Sequence, residues 1–237
     1  MFTDIHTHIL HSIDDGPETF EQTKELLIKS VEKGVQNIIA TPHFYAAKHS
    51  FAERIKTAEE RFLKLREFIK ENKIPVCLLS GFEVRCFEGI SRIDSLGYLT
   101  LNKSKVLLLE LEPMPITEKT VEEILDISYS GYTIVLAHIE RYVKAPGFKL
   151  IKSLILNEEV FAQCNAASFI SGSLQRPTFR LLKEGLISFV ASDMHSIENR
   201  PPNLKEAYDV IENKFGSKIK EQLIFNSKEL FNTCITK

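Results

Sequence analysis

The sequence has no cysteine pairing, no membrane-length apolar run, no charge bias and no linker. Its four cysteines, Cys77, Cys86, Cys164 and Cys234, are scattered with no paired spacing. That excludes a disulfide framework and a structural zinc site of the cysteine type. Cys77 and Cys164 lie in apolar strand-like runs, where buried, reduced thiols are expected. No apolar run approaches the ~20 residues of a membrane helix. The N-terminus has no basic stretch ahead of an apolar core, so a secretory signal is not expected. Lys and Arg number 30 and Asp and Glu 32, for a net charge of −2. Such a balance gives no support to nucleic-acid binding. Without a Gly/Ser linker, low-complexity block or short repeat, residues 1–237 read as a single domain. These absences together point to the cytoplasm. What remains is an ordinary globular composition, 43% hydrophobic and 26% charged, able to bury a full core.

Short apolar runs alternate with helical periodicity. Strands are expected over 2–5, 37–41, 75–80, 105–109, 133–137, 160–164 and 186–191. Helices are expected over about 19–33, 52–71, 121–129, 148–156 and 174–184, and through most of the chain from 203. Thr19 and Gln22 form a capping box for the first helix, and Gly34 suits its C-terminal end. Asn226 is expected to cap a last short helix. Continuous apolar strands separated by helices are the pattern of a parallel sheet covered by helices. Seven βα units suggest a barrel one unit short of eight, with an open doubly wound sheet as the alternative. The barrel is preferred because candidate site residues follow almost every strand, and a barrel gathers strand ends on one face.

Those residues begin with Asp4-Ile5-His6-Thr7-His8. In extended backbone, His6 and His8 share a face and can reach one metal ion. Five of the seven histidines, His6, His8, His43, His138 and His195, fall at expected strand ends. Asp15, Glu83, Glu110 and Asp193 fall at strand ends or in the first loop. Nine N/O donors are too many for one ion, and four carboxylates can balance two or three divalent cations. The lack of thiolate donors favours manganese, iron or zinc. Glu112, two residues beyond Glu110, competes with it for the same role. Arg141 lies three residues beyond His138 and Arg200 five beyond His195, and a guanidinium can grip two oxygens of an oxyanion at once. Coming from loops after different strands, they are expected to approach it from different sides. His11, in the first loop, is expected to be solvent-exposed, with a spare ligand or a proton donor as the alternative. Phe44, Tyr45 and Phe169 could each flank an aromatic group of a ligand, with a core or rim role as the alternative.

One match must be set aside. Cys86-Phe-Glu-Gly89-Ile-Ser-Arg92 has the C-x-x-G-x-x-R spacing of cysteine-dependent tyrosine phosphatases. Glu88 would put negative charge in the phosphate cradle, no histidine precedes the cysteine, and the thiol lacks obvious activation.

Asp4-Ile-His6-Thr-His8, Asp14-Asp15-Gly16, Ala40-Thr-Pro-His43, Gly81-Phe-Glu83, Ala137-His-Ile-Glu-Arg141-Tyr142 and Ala191-Ser-Asp193-Met-His195 resemble the polymerase-and-histidinol-phosphatase (PHP) family. Within it, the likeness is to the capsule-locus protein-tyrosine phosphatases of the CpsB type. The resemblance implies a distorted seven-stranded TIM-like (β/α)7 barrel with a trinuclear metal centre. It implies that His6, His8, Glu83 and Asp193 hold one ion. Glu83 would bridge to a second held by Glu110 and His138, and Asp15, His43 and His195 would hold a third. The implied activity is hydrolysis of phosphotyrosine by a metal-bridging hydroxide, with manganese the expected ion. The implied partner is the tyrosine-rich tail of a bacterial tyrosine kinase controlling polysaccharide export. A small-molecule phosphatase, such as one for histidinol phosphate, and a non-catalytic interaction module are the alternatives. The sequence leaves the oligomeric state open.

Overall fold

The computed structural model describes residues 1–112, 115–157 and 160–236. Strand β1 (Phe2–Thr7) is followed by α1 (Phe20–Glu32), β2 (Val35–Ala40) and the two-residue β3 (His43–Phe44). Helix α2 (Phe51–Glu71) leads to β4 (Cys77–Ser80), β5 (Glu83–Arg85) and, after short 3-10 turns, β6 (Val106–Glu110). Then come α3 (Glu118–Tyr129), β7 (Thr133–Leu136), α4 (Phe148–Leu156), β8 (Phe161–Asn165), α5 (Ala167–Ile170) and α6 (Gln175–Lys183). Strand β9 (Phe189–Ala191) and helices α7 (Leu204–Phe215) and α8 (Ser217–Ile235) follow. Helix α1 starts at the expected capping box. Thr19 Oγ1 accepts from the Gln22 N–H, and Gln22 Oε1 accepts from the Thr19 N–H at 3.1 Å. It stops where Gly34 takes φ 89°, a conformation glycine adopts without a Cβ penalty.

The strands pair in parallel, in the order β1-β2-β4 in one sheet and β3-β5-β6-β7-β8-β9 in another. The seven expected strands thus appear as nine among the described residues, because the second and third are each interrupted. Pro42, which has no N–H to give to a ladder, separates β2 from β3. Gly81-Phe82 separates β4 from β5. A Cβ at Gly81 would come within 2.9 Å of the Leu101 backbone, so this break is built for glycine. Hydrogen bonds cross both interruptions: Gly81 N–H donates to Ala40 O at 2.8 Å and Glu83 N–H to Pro42 O at 3.1 Å. The first and last strands are joined as well. Asp193 N–H donates to His6 O and His8 N–H to Met194 O, both at 3.0 Å. The sheet is therefore curled, and the C-terminal ends of its strands converge.

The curl has an apolar interior. Ile5, Ile39, Leu79, Val106, Leu108, Val135, Ala137, Phe189 and Ala191 pack together with Leu230, Phe231 and Cys234 of α8. The alternate strand residues, such as Ile38, Leu107, Leu109 and Leu136, face the helical layer outside. Helix α8 covers the N-terminal ends of the strands. Asn226 Nδ2 donates to Ser188 O just before β9, and Asn102 Nδ2 donates to Cys234 O close to β6. Asn226 therefore lies inside one 19-residue helix and caps nothing. A second expectation also fails. Cys164 is buried, but Cys77 opens the edge strand β4 and is exposed.

Phe231 is 2% exposed at the centre of this contact. Phe231→Ala should cost about 3–5 kcal/mol, since the cavity lies between two rigid layers. Urea unfolding followed by circular dichroism reads this as a lower midpoint. A loss below about 1 kcal/mol would mean that α8 does not close the curl.

Candidate metal centre

The polar cluster begins on β1, where the Nε2 atoms of His6 and His8 stand 3.2 Å apart. The β1–β2 register shifts between Asp4 and Thr7. That irregularity allows Ile5 to join the inner apolar cluster while His6, its neighbour, joins the polar one. Bulges commonly re-aim side chains in this way beside active sites.

Glu83, at the start of β5, is the hub. Its Oε2 lies 2.8 Å from His43 Nδ1, 3.2 Å from His8 Nε2 and 3.3 Å from His6 Nε2. Its Oε1 lies 2.7 Å from His138 Nε2, which is 3.7 Å from Glu110 Oε1. Asp193 Oδ1 is 3.4 Å from His8 Nε2 and 3.5 Å from His6 Nε2. Asp15 Oδ1 is 3.1 Å from His195 Nε2 and 3.4 Å from His43 Nε2. All nine expected donors are thus brought together. Arg141 and Arg200, from the loops after β7 and β9, converge on one atom. Asp193 Oδ2 accepts from Arg141 Nη2 at 2.8 Å, from Asn165 Nδ2 at 2.6 Å and from Arg200 Nη2.

Two observations test this cluster for a cation. First, Glu83 Oε2, Asp193 Oδ1 and His43 Nδ1 are buried without a hydrogen-bond partner. Buried polar atoms are nearly always bonded, so atoms that crowd together unbonded share an outside target. Second, the imidazoles are held from behind. The Nδ1–H of His6 donates to Gln163 Oε1 at 3.2 Å, that of His8 to Asp14 Oδ2 at 2.8 Å, and that of His195 to Asp193 O at 2.9 Å. His138 Nδ1 lies 3.4 Å from Tyr142 Oη. Each of these rings turns Nε2 inward, the arrangement of metal-ligating histidines. Three overlapping groups have ligand atoms within 4.8 Å of one another: His8, Asp15, His43 and His195; His6, His8 and Asp193; and His43, Glu83 and Glu110. An all N/O donor set with several carboxylates fits divalent cations.

Electrostatics keeps the carboxylates ionised. Burial alone would raise the Glu83 pKa, but the imidazoles of His6, His138 and His43 hold it well below the usual range. Asp193 is likewise held low against burial, by His6, Arg200 and His8. Burial opposes charge on His8, yet the adjacent Asp14 carboxylate prevails and raises its pKa to about 10. Asp14 itself falls to about 2 despite burial, through His8. Ionised carboxylates are the form that binds a cation.

Backbone strain sits at the same place. His138 has φ 34° and Asp193 φ 53°, left-handed conformations that cost about 1–3 kcal/mol each outside glycine.

Some important residues carry no clear sequence signal. Asp14 stands in the Asp14-Asp15-Gly16 motif with no role of its own expected, yet it also accepts the His43 N–H at 3.0 Å. Arg85 donates twice to Glu110 Oε2, both at 3.0 Å. Arg54 of α2 donates from Nε to His43 O at 2.8 Å and from Nη1 to Ile13 O, tying the loops that carry His43 and Asp15. Only Gln163 had a visible hint, its i, i+2 spacing from Asn165 on β8. The open choices also resolve. Glu112 lines a separate pocket with Cys86, away from the Glu110 position. Phe44 and Phe169 belong to the core, whereas the Tyr45 ring lies 4.7 Å from that of His43, with the Arg85 guanidinium 4.2 Å over it. His11 is buried against Phe20, with ring centroids 5.2 Å apart, and is not solvent-exposed.

The family model for capsular polysaccharide synthesis proteins of the CpsB/CapC type matches residues 2–232. The chain belongs to the CpsB/CapC family. It is 29% identical over 237 residues to the tyrosine-protein phosphatase CpsB of Streptococcus pneumoniae, covering 96% of this chain and 97% of that one. It is 30% identical over 233 residues to the tyrosine-protein phosphatase YwqE of Bacillus subtilis, covering 96% and 90%. Its fold is similar to a crystal structure from the study of YwqE and the pneumococcal CpsB, described as unique metal-dependent tyrosine phosphatases. That match has a TM-score of 0.85 at 28% identity, over 98% of this chain and 94% of that one.

In this CpsB/CapC member the C-x-x-G-x-x-R stretch is not a phosphate cradle. The Gly89 N–H donates to Glu123 Oε1 at 2.8 Å, and Arg92 Nη2 lies 3.9 Å from the same atom. Burial and the Glu123 and Glu112 carboxylates push the Cys86 thiol up to about 12. A raised pKa keeps the thiol protonated at neutral pH, so nucleophilic thiolate appears only as pH climbs toward that value. Cys86→Ser should therefore keep the parent's phosphatase turnover. Iodoacetamide at pH 7.5 should label exposed Cys77 well before Cys86, with Cys86 labelling rising as pH increases. Loss of turnover in Cys86→Ser with fold and metal content intact would reinstate the thiol.

Proposed function

We propose that this chain is a metal-dependent protein-tyrosine phosphatase, formed by residues 1–237 as one unit. The observation that carries the reading is the convergence of five imidazoles and four carboxylates, with Glu83 Oε2 and Asp193 Oδ1 orphaned, beside two guanidiniums. The hydrogen bonds that cross the strand interruptions and join β9 to β1 support counting the curl as a distorted seven-stranded barrel.

Two or three divalent ions are proposed, with manganese the expected metal. His6, His8, Glu83 and Asp193 would hold one, Glu83, Glu110 and His138 a second, and Asp15, His43 and His195 a third. His8 lies close enough to Asp15, His43 and His195 to serve that third group as well. Bound ions of this kind supply Lewis acidity toward phosphoryl oxygens and lower the pKa of a coordinated water toward neutrality.

The chain's own residues do the rest. Arg141 and Arg200 carry fixed positive charge to the rim of the cluster, where they grip the equatorial phosphoryl oxygens as charge is redistributed over them. Asn165, on the same Asp193 oxygen, fixes the carboxylate that both arginines touch. Half-buried Tyr45 offers a ring face beside His43 for the aryl group of the substrate. A phenolate leaving group, with an unperturbed pKa of about 10, needs little protonation to depart. The family's description supports a substrate in capsular polysaccharide synthesis. The proposed one is the phosphorylated tail of a bacterial tyrosine kinase.

Protein purified without chelator should contain at least two divalent ions per chain, measured by plasma mass spectrometry. It should hydrolyse phosphotyrosyl peptide in preference to histidinol phosphate. EDTA should abolish turnover and manganese restore it. Glu83→Gln should lose both turnover and metal, because Glu83 contacts donors of every group. Full turnover in metal-free protein or in Glu83→Gln would refute the reading.

Arg141→Ala and Arg200→Ala should each lower kcat/KM for phosphotyrosyl peptide by roughly ten- to a thousandfold, with metal content unchanged. Each should also weaken inhibition by inorganic phosphate. Lysine at either position should rescue only in part, because it lacks the planar fork. Two alanine variants that behave like the parent in both assays would remove the arginines from phosphate binding.

A further inference from the structure

A second cationic feature lies next to the metal centre and takes no part in it. Between α4, α6 and the turn that follows Arg141 runs a groove of about 730 Å³. Among the described residues, Lys144, Lys149, Lys152, Arg176 and Arg180 line it, against the single carboxylate of Glu184. Five cations against one anion leave a local excess of four positive charges, in a chain whose net charge is −2. Glu184 is already engaged, by Lys152 Nζ at 2.9 Å and Arg180 Nε at 3.0 Å. Lys144, Lys149 and Arg176 are exposed and, among the described residues, have no acidic partner within 4.0 Å. Like charges gathered in a concave site repel one another and focus the field outward, and an anion laid among them relieves both effects. The floor is apolar, from Phe148 and Leu181, so the site suits a chain with carboxylates and a carbon backbone better than a small inorganic anion.

Position selects the occupant. Val143 and Lys144, on the groove wall, follow Arg141 by two and three residues, a span of at most about 11 Å. An extended peptide advances about 3.3 Å per residue. A peptide whose phosphotyrosine sits between Arg141 and Arg200 would therefore bring residues about three to six positions away into the groove. We infer that the groove docks an acidic stretch of the phosphoprotein substrate flanking its phosphotyrosine. The inference rests on the phosphatase reading above and adds the substrate's flanking chemistry to it. Complementary charge of this kind acts on encounter and KM and weakens with salt, while the chemical step stays with the metal centre.

The test uses the metal-loaded enzyme and three substrates: a phosphotyrosyl peptide with Asp and Glu flanks, one of equal length with neutral flanks, and p-nitrophenyl phosphate. The parent should favour the acidic over the neutral peptide by roughly ten- to a hundredfold in kcat/KM at low ionic strength, through KM. The preference should shrink in 0.5 M salt, a concentration chosen to shorten the screening length to about 4–5 Å. The charge-reversal variant Lys149→Glu/Arg176→Glu should lose the preference while its kcat for p-nitrophenyl phosphate stays that of the parent. Both sites fall in first helical turns, where an acidic residue suits the helix dipole and the fold should hold. A parent without preference, or a variant that keeps it, overturns the docking inference. So does a variant that loses binding to phosphatidylserine vesicles while treating both peptides as the parent does. If the parent turns over none of the three substrates, the phosphatase reading fails by itself. Fluorescence anisotropy of the labelled acidic peptide then decides the groove separately: binding lost in the variant supports it, and binding unchanged or absent overturns it.

Discussion

Glu83 sets the terms for the rest of the structure. Its carboxylate is fully buried, and four imidazole nitrogens from three segments, the end of β1, β3 and the end of β7, stand within 3.3 Å of it. A buried carboxylate in apolar surroundings would take up a proton. Here the imidazoles of His6, His138 and His43 keep it charged. The cost of removing such charges from water is several kcal/mol per ion, and it is offset only if every participant is held in place. Much of the polar architecture around the centre can be read as that holding. Asp14 anchors His8 and the backbone of His43. Gln163 accepts from His6 and from the His138 N–H. Arg85 steadies Glu110, and Arg54 ties two loops together.

The curled sheet makes this possible because it divides labour along each strand. Nearer the N-terminal ends, inward residues such as Val106, Leu108 and Phe189 form a dry layer closed by α8. One step further on, the same inward face carries Glu110, Gln163 and Asp193. The apolar layer is a rigid base and excludes water from one side of the charges, which strengthens every interaction among them. Positive φ values at His138 and Asp193 show where the chain departs from regular structure to aim its donors. The interruptions at Pro42 and Gly81 serve the same end, since His43 and Glu83 follow them directly.

The surface around the centre is not uniform. Arg141 leads on to the cations of the α4–α6 groove, while a second pocket, at Asp15 and Arg200, is lined by Glu18, Glu25 and Glu198. An anionic substrate meets attraction along one approach and repulsion along the other. Charge placement outside the polar cluster thus gives this surface a direction, which the cluster by itself does not.

The sequence by itself determined the alternation of strands and helices, the capping of α1 and the run of imidazoles and carboxylates at strand ends. These are local matters: apolar periodicity, a Thr-x-x-Gln box, and imidazoles or carboxylates at the ends of apolar runs. It also exposed the weakness of the Cys86 match through Glu88, although the carboxylate that occupies that loop is Glu123, 34 residues from Gly89. Only the tertiary structure put Glu110 in the cluster and Glu112 outside it, set Tyr45 beside His43 and Phe44 and Phe169 in the core, brought both arginines onto Asp193, and put Cys77 outside and His11 inside. It alone revealed Asp14, Arg54, Arg85 and Gln163 as supports. Each of those outcomes depends on which segments the curl brings together, and hydrogen bonds such as His6 to Gln163 join residues 157 positions apart. Periodicity reports which face of an element a residue occupies. What stands opposite that face is fixed only when the strands close on one another.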